Sequence, residues 1–377
     1  MARRRRALTV VLSLVVVQLV ALAWPAYACG CGGMVVDERD ELYVEQETSA
    51  IRWDGETEEI VMSLTVGGDA AEAAWIMPVP HRAEVELGDE QLFDDLWSAT
   101  RPEQRDRHYF WPREGDWPRS DGGDGAGAAA PEDGAVGAAP PVDVVSRDRL
   151  GPFDVARLTA TDPDALETWL SDHGFALPDD LARELRPYVE REWEYVAVRL
   201  APAEDGAEDV VLGGTLDPLR LSFASDELVY PMRLSRLADV DQSLKLYVLA
   251  PHRMEPSSAI GGAEPRVSYA ARFAPEELPA GPARELAGDG AFVTVLEQEF
   301  PRPEAIDGDH VLRPAAEDTE YVPVEYTDRL LTWGGVPAWL VTVTGGLVLV
   351  AVTAWQATRR LVRRRHHLAL LGVHPGR

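Results

Sequence analysis

The stretch Val336–Trp355, VPAWLVTVTGGLVLVAVTAW, contains no charged side chain. A helix of that length rises roughly 30 Å, about the hydrocarbon thickness of a bilayer. Trp333 and Trp339 stand at one end and Trp355 at the other, where amphipathic rings prefer the membrane interface. Arg359, Arg360, Arg363, Arg364 and Arg365 follow directly, and an arginine cluster behind an apolar span is retained in the cytoplasm. The chain is therefore expected to be a single-pass protein of the plasma membrane. Everything before residue 336 would lie outside the cytoplasm, and residues 356–377 would form a basic cytoplasmic tail in which His366 and His367 join a lipid-facing cluster.

The other end agrees. Arg3–Arg6 form a charged n-region, Ala7–Ala23 an apolar h-region, and Ala26-Tyr27-Ala28 a small-x-small cleavage site, so residues 1–28 read as an export signal. Cleavage there leaves Cys29 first. Cys29-Gly30-Cys31-Gly32-Gly33 holds both cysteines of the chain. In a disulfide-permissive compartment the pair is open to three fates: a tight local or an intermolecular disulfide, lipid attachment at Cys29, or half of a soft-metal or redox site. No cofactor is implied.

The whole chain carries a formal net charge of -28. Both terminal segments lack acidic residues, which leaves 26 basic against 64 acidic side chains in the outer part, a net charge near -38. Such a domain repels nucleic acid and anionic headgroups, so a nucleic-acid partner is excluded; it attracts cations or a basic partner. The acidity also simply keeps an exported domain soluble.

Alternation of apolar residues predicts strands over Glu45–Arg52, around Ile60–Val66 and over Ala73–Met77, with Asp54-Gly55 as a hairpin turn. Asp89–Ala99 reads as a helix with Asp89 capping its start. Residues 29–113 form a first β-rich part, and residues 114–142, rich in Gly, Ala, Pro and Asp, a linker or surface excursion. A second part, residues 143–300, opens with a strand near Phe153–Leu158 and helices beginning at Pro163 and Pro178. Strands are then expected over Trp193–Leu200, Leu219–Phe223, Leu228–Leu234, Leu244–Ala250 and Arg266–Phe273. A short helix is expected over Pro282–Leu286, while Phe292–Phe300 is ambiguous. Residues 301–335 read as an extended stalk. The expected fold class is α+β: a β-rich ectodomain of antiparallel sheets with a few short helices, plus one C-terminal transmembrane helix.

The sequence contains no HExxH, GxSxG, Walker or dinucleotide-binding pattern. His81, His108, His173, His252 and His310 are not spaced as metal ligands. His108 lies among Tyr109, Phe110 and Trp111; this cluster is expected to pack on the first sheet, the alternative being an aromatic recognition surface. Carboxylates are too abundant for any pair to be singled out as an acid–base dyad.

The order of features, ACGCGG at the mature start, RWDGETEEIVMSLTV, AAWIMPVP, LGPFDVARLTATDPDALETWL, then LVYPMRLS with SLKLYVLAPHRMEP, resembles a bacterial domain-of-unknown-function family of exported, membrane-anchored proteins found widely in actinobacteria. The resemblance covers residues 29–320. It implies a cell-envelope location and a shared fold, and it carries over no catalytic residue. The expected function is a membrane-anchored envelope protein whose acidic ectodomain binds an envelope protein or cell-wall partner or is structural, without enzymatic activity. The rival is redox or metal handling through Cys29 and Cys31.

Overall fold

The computed structural model describes residues 28–29, 32–37, 39–113, 116, 148–150, 153–159, 163–200 and 211–370, with backbone alone at 28–29, 148–150, 153–159, 163–165 and 365–370. The expected export signal except Ala28, and nearly all of the 114–142 linker, lie outside the described residues. The chain divides into two compact units, residues 1–101 with 140–323, and residues 102–139 with 324–377.

Two large sheets build the first unit. The first sheet has the strand order Ala28–Cys29, Gly32–Val35, Ala73–Val79, Glu194–Leu200, Phe153–Thr159, Asp148–Leu150, every neighbouring pair antiparallel. The second runs Arg266–Phe273, Ala291–Phe300, Gln242–Ala250, Leu42–Trp53, Thr57–Gly68, Leu219–Ala224, Glu84–Leu87, with Gly214–Thr215 also on Thr57–Gly68. Its one parallel pair joins Gln242–Ala250 to Leu42–Trp53. A small third sheet contains Leu228–Tyr230, His310–Pro314 and Met254–Pro256.

The two large sheets close on one apolar layer. Trp75, Met77, Val196 and Val198 of the first meet Ile51, Ile60, Met62, Leu221, Leu246 and Val248 of the second. The outer face of the first sheet, Ala74, Ile76, Tyr195 and Ala197, is covered by the helices Pro163–Asp172 and Asp179–Glu190 through Leu166, Trp169, Leu170, Leu181 and Leu185. The outer face of the second, Ala50, Val61, Tyr247 and Val293, is covered by Gln91–Ala99 and Pro282–Ala287 through Leu92, Leu96, Ala283 and Leu286. The layers are thus helix, sheet, sheet, helix. This explains why Ala73–Val79 is a continuous apolar run: all seven residues are buried because both faces are covered. Burial of each large aliphatic or aromatic side chain stabilises the fold by about 1.5–3 kcal/mol.

Most expected elements stand near their expected bounds. Asp89 Oδ1 accepts the Gln91 N–H at 2.9 Å at the start of the Gln91–Ala99 helix. The run read as one strand over Leu228–Leu234 ends at Tyr230 and becomes a 3-10 turn, Arg233–Leu237, because Pro231 removes a ladder donor. The ambiguous segment is a ten-residue strand, Ala291–Phe300.

The second unit contains a two-stranded parallel sheet, Glu103–Tyr109 with Val324–Leu330. It continues into the hairpin Thr332–Trp333/Val336–Pro337. Gly334 and Gly335 turn that hairpin with φ of 59° and 82°, a pair of left-handed residues that favours glycine. The hairpin leads into the helix Ala338–Leu370. Its segment Ala338–Arg364 is long and apolar enough to cross a membrane, with a mean hydropathy of 1.8 over an 18-residue stretch of which 6% is buried.

Candidate functional site

Three of the conspicuous sequence motifs meet at one end of the first unit. Gly32–Val35 pairs with the WIMPVP strand, Gly33 opposite Ile76 and Met34 opposite Trp75. Ala28–Cys29 folds back on it, Cys29 opposite Gly32, and lies against the Arg233–Leu237 turn of the VYPMRLS motif and against Leu42–Trp53. The glycines are there for room. A Cβ on Gly32 would come 2.5 Å from Trp75 Nε1 and 2.6 Å from the Ile76 carbonyl oxygen; one on Gly33 would come 2.7 Å from Leu181 Cδ1. The Cys29 side chain and all of Cys31 lie outside the described residues.

Beneath this corner runs a buried polar seam. Its origin is a β-bulge between Val44 and Gln46. Before it, Leu42 and Val44 face the inter-sheet layer; after it Ile51 does, although the parity differs. The extra residue brings Glu47 and Ser49 to the same inward face as Ile51. The Tyr230 hydroxyl bonds Glu47 Oε1 and lies 2.6 Å from Ser49 Oγ. Glu47, Ser49 and Tyr230 are each at most 1% exposed.

His310 is the register partner of Tyr230 and is 1% exposed. Neither ring nitrogen has a hydrogen-bond partner among the described residues. Burial pulls the imidazole down from 6.5 to about 4, against the opposing charge of Asp309, so it is neutral near pH 7. Glu58 is also sealed in; its Oε2 accepts the Val229 N–H at 3.2 Å, and burial pushes its carboxyl well above the usual range. Asp309 Oδ1 accepts the Tyr188 hydroxyl at 2.6 Å and the N–H groups of Met232 and Arg233 at 2.9 and 3.1 Å. Burial, then the Asp309 charge, raises the Tyr188 phenol well above its ordinary value. The Val229–Arg233 segment is thereby held by side chains from three separate parts of the chain: Glu47 with Ser49, Glu58, and Asp309. These groups fix the backbone of this segment and lie closed off from solvent.

At the surface beside the motifs, Val36, Asp37 and Arg39 face the helix connection Gly174 and Ala176–Asp179 across a half-open cleft of about 530 Å³. Arg39 lies 3.0 Å from Asp37 and holds that carboxyl below its usual range.

The remaining histidines are dispersed. His81 Nδ1 lies 2.8 Å from the Ala224 carbonyl, and His173 Nδ1 2.7 Å from that of Trp169. His252 lies 3.1 Å from Asp318, and His108 is exposed on the Glu103–Tyr109 strand. Among the described residues no group of three His, Cys, Asp or Glu side chains is arranged to hold a metal ion. The expectation that the His108–Trp111 cluster packs on the first sheet is corrected. Its strand pairs instead with Val324–Leu330, and Trp111 is 64% exposed. An exposed strand of alternating charges has no apolar face to offer a core.

Sequence reading singled out none of Glu47, Ser49, Glu58, Tyr230 and Asp309, and it weighed His310 only as a histidine without ligand spacing. One signal was present: apolar alternation changes phase between Val44 and Ile51, which a single unbroken strand cannot satisfy.

No curated protein matches the chain. Among solved structures, crystalline baculovirus P35 matches over 76% of this chain and 98% of its own, at 10% identity and a TM-score of 0.29. The caspase-8/P35 complex matches over 72% and 94%, at 8% identity and a TM-score of 0.25. Likeness at that level carries no argument about this chain. Residues 25–313, which contain every motif discussed above, match one family along their length, and the chain belongs to it: the family described as "Uncharacterized protein conserved in bacteria (DUF2330)".

Proposed function

We propose that this protein is held in the plasma membrane by Ala338–Arg364, displays residues 29–335 outside the cytoplasm, and uses that ectodomain for recognition of an envelope protein or cell-wall component, without catalysis. The observation that carries the anchoring is the apolar stretch of this helix, followed directly by five arginines, Arg359, Arg360 and Arg363–Arg365, which fits a cytoplasmic tail. For recognition, the support is the contrast at the motif corner. Its dense polar seam is sealed from solvent, as suits a scaffold that holds the Val229–Arg233 segment, while the adjoining cleft is open and carries Asp37, Arg39 and Asp179. A domain with a net charge near -38 would favour a cationic or hydrogen-bonding partner over an anionic one.

Crosslinking of the full chain in intact cells tests this. A discrete adduct with one envelope protein or wall polymer is expected, and it should persist in the Cys29→Ser/Cys31→Ser variant. Absence of any adduct counts against recognition. Loss of the adduct in the folded double variant moves the function to the two sulfurs and their redox or metal chemistry.

A further inference from the structure

In the second unit, Glu103–Tyr109 is a strand whose side chains are exposed from Glu103 through His108. Burial does not account for its position; pairing does. It runs parallel to Val324–Leu330, in register from Glu103 opposite Val324 to Tyr109 opposite Leu330. Parallel strands end on the same side, and on that side the second strand becomes the entry to the apolar helix. The Leu331 N–H donates to the Tyr109 carbonyl at 2.9 Å, and the Ala338 N–H donates to the Leu331 carbonyl at 2.8 Å. Two strand spacings of about 5 Å each therefore separate Tyr109 from the first residue of the helix.

Directly beyond Tyr109 stand Phe110 and Trp111, their rings edge-to-face at 5.2 Å. Trp111 is 64% exposed; Trp333 and Val336, on the hairpin that enters the helix, are 52% and 42% exposed. Aromatic rings left in the open just outside an apolar span match the composition of a membrane interface, where one side of the ring is wet and the other greasy.

Charge agrees with this placement. The outer chain carries a net charge near -38, yet residues 102–113 and 324–337 hold four arginines and four carboxylates. Arg105 pairs with Glu103 at 2.7 Å, Arg107 and Arg113 with Asp328 at 2.6 and 2.5 Å, and Arg329 with Asp106 at 2.9 Å. A sheet neutralised in this way can approach anionic headgroups that the rest of the chain would repel.

We infer that Phe110 and Trp111, with Trp333, insert into the outer-leaflet headgroup layer as a second membrane contact, delivered there by the Glu103–Tyr109 strand. This rests on the reading that Ala338–Arg364 crosses the bilayer. Its consequence is rotational. A single helix can turn and tilt, and an aromatic contact about 10 Å from its axis of entry restrains both.

The test uses the full chain in phosphatidylcholine vesicles. Emission from Trp111 is obtained as wild type minus Trp111→Phe, and from Trp355 as wild type minus Trp355→Phe; both variants keep an aromatic ring at an exposed site. Quenchers are lipids brominated near the headgroup, lipids brominated deep in the acyl chain, and aqueous acrylamide. Loss of most Trp111 emission to the shallow bromolipid, with little loss to acrylamide, is expected. If Trp355 is quenched by bromolipid while Trp111 responds to acrylamide alone, the second contact is overturned and the anchor stands. Shielding of Trp111 from every quencher means that it packs on protein, which also overturns it. If Trp355 responds to no bromolipid, the membrane reading fails and this inference with it.

Discussion

The Gly32→Val variant is expected to unfold at a markedly lower temperature than the wild type. The side chain has nowhere to go: its first carbon would stand 2.5 Å from the Trp75 indole nitrogen and 2.6 Å from the Ile76 carbonyl oxygen. Trp75 is fully buried between the sheets, and the Ile76 carbonyl belongs to a strand paired on both sides. Neither can withdraw without disturbing a ladder or the core. Overpacking of this kind costs about 3 kcal/mol, which for a unit of this size lowers the melting temperature by roughly 5 °C. Gly213→Ala is the control, because a Cβ there meets nothing within 4 Å, and it should change stability by less than about 0.5 kcal/mol. Equal melting temperatures for wild type and Gly32→Val would mean that the N-terminal hairpin does not dock on the WIMPVP strand.

His310→Leu should change the dependence of stability on pH. The imidazole titrates near 6.5 when unfolded and about 4 when folded, chiefly because burial disfavours its charge. The unfolded chain therefore binds a proton that the folded one refuses. The stability this provides is complete above pH 6.5 and is lost as pH falls toward 4. Between pH 7.5 and 5, the difference in unfolding free energy between wild type and His310→Leu should move by about 2 kcal/mol against the wild type. Comparing the two at each pH matters because Glu58 acts in the opposite sense. Its folded carboxyl titrates well above the usual range, so the stability associated with its proton is present in acid and lost as pH rises. Glu58→Gln should accordingly gain on the wild type as pH rises. A pH-independent difference for His310→Leu would show that the ring finds a partner or reaches water.

The chemistry of the elements explains what could be read beforehand. Strands such as Gln242–Ala250 and Arg266–Phe273 were legible because each is a short run rich in apolar residues whose turns carry glycine or proline. Ala73–Met77 was legible as a short apolar run closed by turn signals, but its continuation through Pro78, opposite Tyr195, to Val79 was not, because proline ordinarily marks a strand end. The Glu103–Tyr109 strand was not, since its stability comes from main-chain pairing and exposed ion pairs, which leave no periodicity. The same holds for His310–Pro314, within the stretch read as a stalk, which is ordered by Leu228–Tyr230 and Met254–Pro256 from far along the chain.

The candidate site shows the same division. Cys29, Gly32 and Gly33 draw attention in the sequence, and the structure gives the glycines a packing reason. Glu47, Tyr230 and His310 are ordinary residues in ordinary-looking strands. They become a cluster because a bulge shifts one strand by a residue and three distant segments converge on it. Long-range convergence of that sort has no local signature.

The anchoring claim is tested most directly by protease treatment of intact cells producing the full chain with an epitope after Arg377. The account predicts that the protease destroys the ectodomain while leaving, in the membrane pellet, a short tagged fragment consisting of the apolar helix and its arginine-rich tail. That fragment should disappear only when the membrane is opened. A chain that stays intact until lysis, or that alkaline carbonate washes from the membrane, would contradict it.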